Sequence, residues 1–260
     1  MRILFFGDIV GDRATAHIAE RLSDLRREYD ADLVIANAEN CAPNGLGMAA
    51  KQIDQLLLAG VDVITGGNHS WDSDESTGLL ALEQVLRPAN LAPDVPGRGV
   101  LTLDAAGEKI TVINLADHCA MKSVKKVAAG FRPAYEGWLA AERIGTVIVD
   151  YHGDHVLEKQ IFAHAVDGEA SAVIGTHSHE ATTALHLLPG GTGFVTEVGM
   201  TGPAGGVQGF APEVMVAGLR TTGNPFSGDL PAPGDGPITL GAVCIEIHDG
   251  RTTDLRRVAS

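Results

Sequence analysis

The chain has 260 residues, 45% of them hydrophobic, and a formal net charge of −14. This length supports one sizeable hydrophobic core, so a single domain over residues 1–260 is the simplest prediction. A protein that binds duplexes normally presents a basic patch, and the acidic balance therefore argues against broad nucleic-acid binding. A small phosphate ester remains compatible with it, because bound cations reverse the local field.

The sequence also argues against a membrane protein and a disulfide-rich one. No apolar stretch is long enough to span a bilayer, and the N-terminal MRILFFGDIVG is typical of an opening strand rather than a signal peptide. The chain has an odd number of cysteines, widely spaced and without a CxxC pair: Cys41, Cys119 and Cys244. We therefore expect a cytoplasmic protein without a disulfide framework, and the sequence leaves a homo-oligomer open.

Short apolar runs alternate with amphipathic segments along the chain. The predicted strands lie in RILFFGD, DLVIANAEN, VDVITGGNH, KITVINLAD, GTVIVDYHG, SAVIGTHSH, GFVTEVGM and LGAVCIEIHDG. The predicted helices lie in DRATAHIAERLSDLRREYD, in MAAKQIDQLLLAG with a C-cap at Gly60, and in HVLEKQIFAHAVDG, which ends near Gly168. Several strands are continuous Val/Ile/Leu runs, which suits strands covered on both faces. The alternation predicts a layered α/β fold.

Three segments lack such patterning. Residues 86–99 are rich in Pro, Ala and Gly, and PFSGDLPAPGDGP near the end is predicted to be a surface connection. Residues 118–135 contain KSVKK in an irregular context, and we predict a cover over a site there.

Polar side chains follow five of the predicted strands at the points where the apolar runs end. They are Asp8, Glu39, Asn40, Asn68, His69, His152, His177 and His179. Ligands in open α/β sheets bind beyond the carboxyl ends of strands, so these donors are expected at one shared edge.

The donor types suggest transition metals. Carboxylate, amide oxygen and imidazole together suit Mn, Fe or Zn, whereas a calcium or magnesium site is mostly oxygen. If HSH is extended, His177 and His179 point to the same side and could each serve one of two neighbouring ions. Two ions about 3.5–4 Å apart can clamp a phosphate and generate hydroxide between them.

Each signal alone has an ordinary structural interpretation. GNH is a common turn, and an HxH pair is found by chance on surfaces. Glu39 is harder to explain in this way, because a carboxylate after a buried run needs a partner. The joint placement after five strands is the observation that favours a metal site.

The motifs GDIVGD, NAEN, GGNHSWD, DYHGD and GTHSHE stand in the order of the calcineurin-like metallophosphoesterase superfamily, which the chain resembles. Asp8 has no His two residues later, and Glu39 replaces the usual bridging Asp. These departures, with the following VGMTGP, resemble the YmdB-type subfamily, although Glu197 stands where that subfamily has Asp. The resemblance implies a layered β-sheet sandwich flanked by helices.

The resemblance also implies a dinuclear ligand set. Asp8 and His179 would bind the first metal, Glu39 would bridge, and Asn40 would fill the place of the missing His. The second metal would be bound by Asn68, His152 and His177. The oxygen-rich first site favours Fe or Mn, with Zn or Mg as the alternatives.

The implied reaction is hydrolysis of a small phosphodiester, in particular a 2′,3′-cyclic nucleotide, by a metal-bridged hydroxide. We assign His69 to general-acid protonation of the leaving alkoxide, with orientation of Asn68 as the competing role. Phe131 or Tyr135 could stack on a base. A phosphomonoesterase or protein phosphatase, and a regulatory metal-binding protein, are the alternative functions.

Overall fold

The computed structural model describes residues 1–127 and 129–259. Its strands are β1 Arg2–Phe6, β2 Leu33–Asn37, β3 Val63–Thr65, β4 Val100–Ala105, β5 Glu108–Ala116, β6 Thr146–His152, β7 Ala172–Thr176, β8 His186–Leu187, β9 Gly193–Val195, β10 Gly202–Pro203, β11 Ile238–Thr239, β12 Ala242–His248 and β13 Arg251–Arg257. Its α-helices are α1 Gly11–Tyr29, α2 Ala50–Ala59, α3 Asp74–Leu79, α4 His118–Met121, α5 Ala134–Ala140, α6 Val156–Ala165 and α7 Glu213–Thr222. A 3₁₀ helix covers Asn68–Trp71.

Most strands belong to two mixed sheets. The first has the order β13-β12-β1-β2-β3, and the second has the order β4-β5-β6-β7-β9-β8. The central pairs of each sheet, β1/β2/β3 and β5/β6/β7/β9, are parallel. Parallel neighbours end on the same side, so the residues that follow β1, β2 and β3 share one edge, as do those that end or follow β6 and β7.

The two sheets pack face to face. Alternate residues of β1 and β2, such as Phe5 and Ile35, share one buried cluster with Val112, Ile148 and Ile174 of the second sheet. The intervening residues of the same strands point outwards, as side chains in a strand must. This arrangement explains the continuous apolar runs, because both faces of each central strand are covered.

Helices cover the outer faces of the sandwich. On the first sheet, Ile18 and Leu22 of α1 and Ile53 of α2 pack against Leu4 and Val34. On the second sheet, the outer cluster includes Trp138 of α5 and Phe162 of α6 (with Val149 and Val173 as strand partners). The predicted α/β sandwich flanked by helices is confirmed.

The three helices predicted from periodicity are present with shifted ends. Gly60 ends α2 in the left-handed conformation at φ 107°, as predicted. The helix α6 ends at Ala165, before Gly168, and α7 lies in a part of the chain for which no helix was predicted. None of the helices in residues 1–127 and 129–259 combines the length and apolar character that crossing a membrane requires.

Replacing Phe5 by Ala is expected to destabilise the protein strongly, because the ring is fully buried between the sheets. A cavity of this kind costs about 3–5 kcal/mol of unfolding free energy. The measurement is urea unfolding followed by circular dichroism. Leu58→Ala is the control, since this side chain on α2 is 88% exposed and should change stability by less than about 0.5 kcal/mol. Equal effects of the two substitutions would contradict the sandwich core.

Candidate metal centre

The strand ends bring the predicted donors to one place. Asp8 follows β1, Glu39 and Asn40 follow β2, and Asn68 follows β3, all from the first sheet. From the second sheet, His152 is the last residue of β6, and it pairs in register with Thr176, the last residue of β7. His152 of the second sheet contacts Glu39 and Asp8 of the first, so the site lies where the two sheet edges meet.

Three donors converge on the ring of His152. Its Nε2 atom lies 3.0 Å from Asn68 Oδ1, 3.0 Å from His177 Nδ1 and 3.1 Å from Glu39 Oε1. Ligands in neighbouring positions around an ion at about 2.1 Å are roughly 3 Å apart. The donors of Glu39, His152 and His177 all lie within 4.8 Å of one another, which is close enough to share one cation.

A second group forms around Asp8. Its Oδ1 atom lies 3.7 Å from His179 Nε2 and 3.9 Å from His152 Nδ1, and its Oδ2 accepts a hydrogen bond of 3.0 Å from the backbone N–H of His177. Asp8 therefore touches both histidines of the HSH segment and the ring at the centre of the first group.

Three buried oxygens without a hydrogen-bond partner have the chemistry of cation ligands. Asp8 Oδ1, Glu39 Oε1 and Asn40 Oδ1 are each buried and lack a hydrogen bond. The orientation of Asn40 is set by its Nδ2, which donates to the carbonyl of Gly45 at 2.7 Å. Unsatisfied buried polar groups are costly, and cations bound at these oxygens would satisfy them. The residues present therefore fit metal ions.

The HSH segment is not extended, and this corrects the reasoning from its pattern. β7 ends at Thr176, and His177 and His179 have φ values of 99° and 65° in the left-handed region. Their rings consequently diverge: His177 faces His152, and His179 faces Asp8. Two positive φ angles at non-glycine residues are strained, and such strain is typical of functional sites.

Comparison with known proteins identifies the family. A family model described as "YmdB-like protein" matches residues 4–258. The chain belongs to the YmdB-like family.

Similar proteins support this assignment over nearly the whole chain. A Bacillus subtilis (strain 168) protein named 2′,3′-cyclic-nucleotide 2′-phosphodiesterase is 34% identical over 96% of this chain and 92% of its own length. The crystal structure of a hypothetical protein from Thermus thermophilus has a TM-score of 0.85 at 34% identity and covers 98% of this chain and 97% of its own. The structure of a novel phosphatase from Mycoplasma pneumoniae has a TM-score of 0.88 at 29% identity, with coverage of 99% and 92%. The predicted resemblance is confirmed, and the chain is a phosphoric ester hydrolase.

Ionisation in this YmdB-like protein favours cation binding. Burial opposes ionisation of Asp8 and Glu39, but the neighbouring histidines outweigh it and lower the pKa of both carboxyls. Burial and the charge of His152 lower the pKa of His177 to about 4. For His152, burial is outweighed by Glu39 and Asp8, which raise its pKa to about 9. The negative charge that raises the pKa of His152 would also attract a metal ion.

The sequence interpretation missed Asp150, a fully buried carboxylate in β6 beneath the donors. Its Oδ1 accepts a hydrogen bond of 2.6 Å from Thr176 Oγ1, and its Oδ2 accepts from Asn37 Nδ2 at 3.2 Å and from Thr65 Oγ1. Thr176 Oγ1 also lies 3.0 Å from His152 Nδ1. A charged residue in the middle of an apolar strand run was the available signal, because buried carboxylates need partners.

Glu197 and Lys159 hold the loop that carries the two histidines. Lys159 Nζ donates to Glu197 Oε2 at 2.9 Å and to the carbonyl of Thr176 at 2.7 Å. The same Glu197 oxygen accepts from the backbone N–H of Ser178 at 3.0 Å. Glu197 thus holds the loop at Ser178, between His177 and His179. The subfamily pattern has Asp in the place of Glu197.

His69 lies beside the cluster without joining it. Its backbone N–H donates to Glu39 Oε2 at 2.9 Å, and its Nδ1 is 2.6 Å from Asp72 Oδ2. Burial lowers the pKa of His69, but the hydrogen bond to Asp72 and the charge of Glu39 outweigh it, and the net pKa is raised. Asp72 was not predicted, although a carboxylate three residues after a histidine on a helical turn lies within reach of it.

Residues 123–126 of the predicted cover border the site. Lys125 and Lys126 line a cavity of about 340 Å³ together with Asn68 and His69. Phe131 and Tyr135 instead line another cavity, of about 550 Å³, with His118 and without any of the predicted ligands. Ala128 within the predicted cover lies outside the described residues, and covering of the site stays a prediction.

Removing Glu197 is expected to destabilise the protein, because Lys159 would remain buried without its partner. Breaking a buried ion pair on one side costs about 3–5 kcal/mol. We expect this loss for Glu197→Met in urea unfolding, and a partial recovery in the Lys159→Met/Glu197→Met double variant. The control is Asp104→Asn, which removes the exposed pair with Lys109 and should cost at most about 1 kcal/mol. Additive losses in the double variant would argue against the pair.

Proposed function

We propose that the chain is a dinuclear metal-dependent phosphodiesterase that hydrolyses 2′,3′-cyclic nucleotides. The observation that carries this proposal is the set of three buried oxygens without hydrogen-bond partners, on Asp8, Glu39 and Asn40, beside the imidazoles of His152 and His177. The substrate class is inferred from the name of the Bacillus subtilis relative.

The proposed ligand set divides between two ions. Asp8, Asn40 and His179 would hold the first ion, and Glu39 would bridge. The second ion would be held by Asn68, His152 and His177. The mixture of oxygen and nitrogen donors favours Fe or Mn over an ion that takes oxygen alone. Bound cations of this kind lower the pKa of water and neutralise the charge of a phosphate.

The surrounding residues orient the donors. Thr176 has a single hydroxyl proton, which it donates in the 2.6 Å hydrogen bond to Asp150 Oδ1. Its oxygen then accepts from His152 Nδ1, so Nε2 is the ring atom that would bind a cation in place of a proton. Asp154 Oδ1 lies 3.4 Å from His177 Nε2. This contact would hold a proton on Nε2 of His177, so that its Nδ1 would be the atom that binds a cation.

His69 is proposed as the general acid. The Asp72 carboxylate fixes its Nδ1, so Nε2 is available to give a proton to a leaving oxygen. Lys125 and Lys126 lie in the cavity next to His69 and would favour a phosphate ester there, despite the negative charge of the whole protein.

We place the enzyme in the cytoplasm. This is supported by Cys41, Cys119 and Cys244, which are all free thiols in the structure, as a reducing compartment requires.

The central test is metal content and substrate choice. Purified protein should carry two ions per chain by plasma mass spectrometry and should hydrolyse 2′,3′-cyclic AMP in preference to p-nitrophenyl phosphate when Mn or Fe is added. Glu39→Gln should lose metal and lower kcat/KM more than about 100-fold, since even residues behind the ligands contribute up to that factor. Glu108→Gln, on the exposed end of β5, is the matched control. Full metal and activity in Glu39→Gln would refute the proposed bridge, and a preference for the monoester would favour a phosphatase.

The role of His69 is tested by varying the leaving group. His69→Gln should slow hydrolysis of 2′,3′-cyclic AMP by about 10²–10⁴-fold, because a ribose alkoxide needs a proton to leave. It should affect bis(p-nitrophenyl) phosphate much less, because nitrophenolate leaves without one. Asp72→Asn should show the same pattern with a smaller loss. Nearly intact activity on both esters would mean that His69 only orients Asn68, and equal losses would indicate a damaged site.

A further inference from the structure

A second, largely apolar cavity adjoins the donor cluster. It has a volume of about 590 Å³, and its lining includes His69, Val207, Gln208, Phe210, Phe226 and Leu230. Two of these residues connect it to the site: His69 contacts Glu39 through its backbone, and the carbonyl of Gln208 lies 2.9 Å from His179 Nδ1. The cavity therefore borders the donor cluster beside Glu39 and His179.

Two aromatic rings flank the cavity in different ways. Phe210 is 8% exposed and packs so closely on Gly45 that a Cβ at that position would lie 2.7 Å from its ring. Phe226 is 80% exposed. The turn that carries Phe226 is nevertheless ordered by its own hydrogen bonds, including 3.0 Å from Phe226 N–H to Asn224 Oδ1 and 2.8 Å between the hydroxyls of Thr222 and Ser227.

A phenyl ring that an ordered turn holds in water does not gain the free energy of burial. Such a ring is therefore a candidate for contact with a ligand. Leu230, on the same wall, is 74% exposed, and Val207 is 43% exposed. Contiguous exposed apolar surface of this kind marks a binding site. The cavity volume lies within the range of ligand pockets, and its aromatic lining is typical of them.

The charges distinguish this cavity from the one on the other side of His69. Among the described residues that line it there is no Lys or Arg, and Asp72 is acidic. The basic residues Lys125 and Lys126 line the neighbouring cavity instead. The apolar cavity is therefore suited to a neutral ring and unsuited to a second phosphate.

We propose that this cavity binds the nucleobase of the substrate, with Phe226 stacking on the base and Phe210 forming the floor. This inference rests on the proposed function, because it takes a nucleoside phosphate as the substrate. Base–aromatic stacking tolerates different bases, since every base presents a flat π surface. The cavity accordingly predicts an enzyme that requires a base without strongly selecting which one.

The kinetic test compares an ester with a base and an ester without one. Phe226→Ala should raise KM for 2′,3′-cyclic AMP by about 5- to 100-fold, as expected for the loss of one stacked base. It should leave hydrolysis of glycerol 1,2-cyclic phosphate unchanged. Phe226→Trp should restore the low KM. Leu219→Ala is the matched control, because Leu219 is a half-exposed residue of α7 outside the cavity lining.

A second measurement does not depend on hydrolysis. Saturation-transfer NMR with adenosine should show contact to the base protons in the wild type and loss of that contact in Phe226→Ala. If the wild type hydrolyses neither ester, the proposed function fails, and the NMR result alone decides whether the base site exists. Unchanged NMR contact and unchanged KM in Phe226→Ala would overturn the inference. A lower molecular mass of Phe226→Ala by light scattering, with equal loss on both esters, would also overturn it and assign this wall to contact between copies of the chain.

Discussion

The site depends on one buried carboxylate that joins the two sheets. Asp150 of the second sheet accepts hydrogen bonds from Asn37 and Thr65 of the first, so the polar network crosses the sandwich directly beneath the donors. Burial disfavours the charged form of Asp150 and raises its pKa to about 6. A network of this kind is stable only when every member is satisfied. It therefore specifies how the two edges sit together, and the distances among the donors follow from that.

The donor cluster places two buried carboxyls among imidazoles. Asp8 and Glu39 are buried at the same edge, and both carboxyls raise the pKa of the neighbouring His152. Bringing such carboxylates together costs free energy that cations would return. The Lys159–Glu197 pair and the strained loop of His177 and His179 belong to the same arrangement, because they hold the two imidazoles in diverging directions.

The two cavities beside the donors differ in chemistry, and each suits a different part of a ligand. Lysines lie on one side of His69, and aromatic residues lie on the other. The general acid proposed for the reaction stands between the two cavities, where an ester oxygen would link a phosphate to a nucleoside. Residues from distant parts of the chain, near 70, 125 and 210–230, create this division.

Sequence alone located eight of the described strands, indicated the layered α/β architecture and predicted a list of donors. It could do so because burial on both faces produces continuous apolar runs, and polar residues then stand out where those runs end. Residues whose role depends on a partner far along the chain, such as Asp150 with Asn37, were decided only by the tertiary structure. The same is true of the diverging rings of His177 and His179, since their left-handed backbone is imposed by the contacts of the loop and not by its residue types. The apolar cavity could not be predicted from the sequence pattern. A phenylalanine in a Pro- and Gly-rich connection belongs to no periodic run, and only the tertiary structure shows which surface it faces.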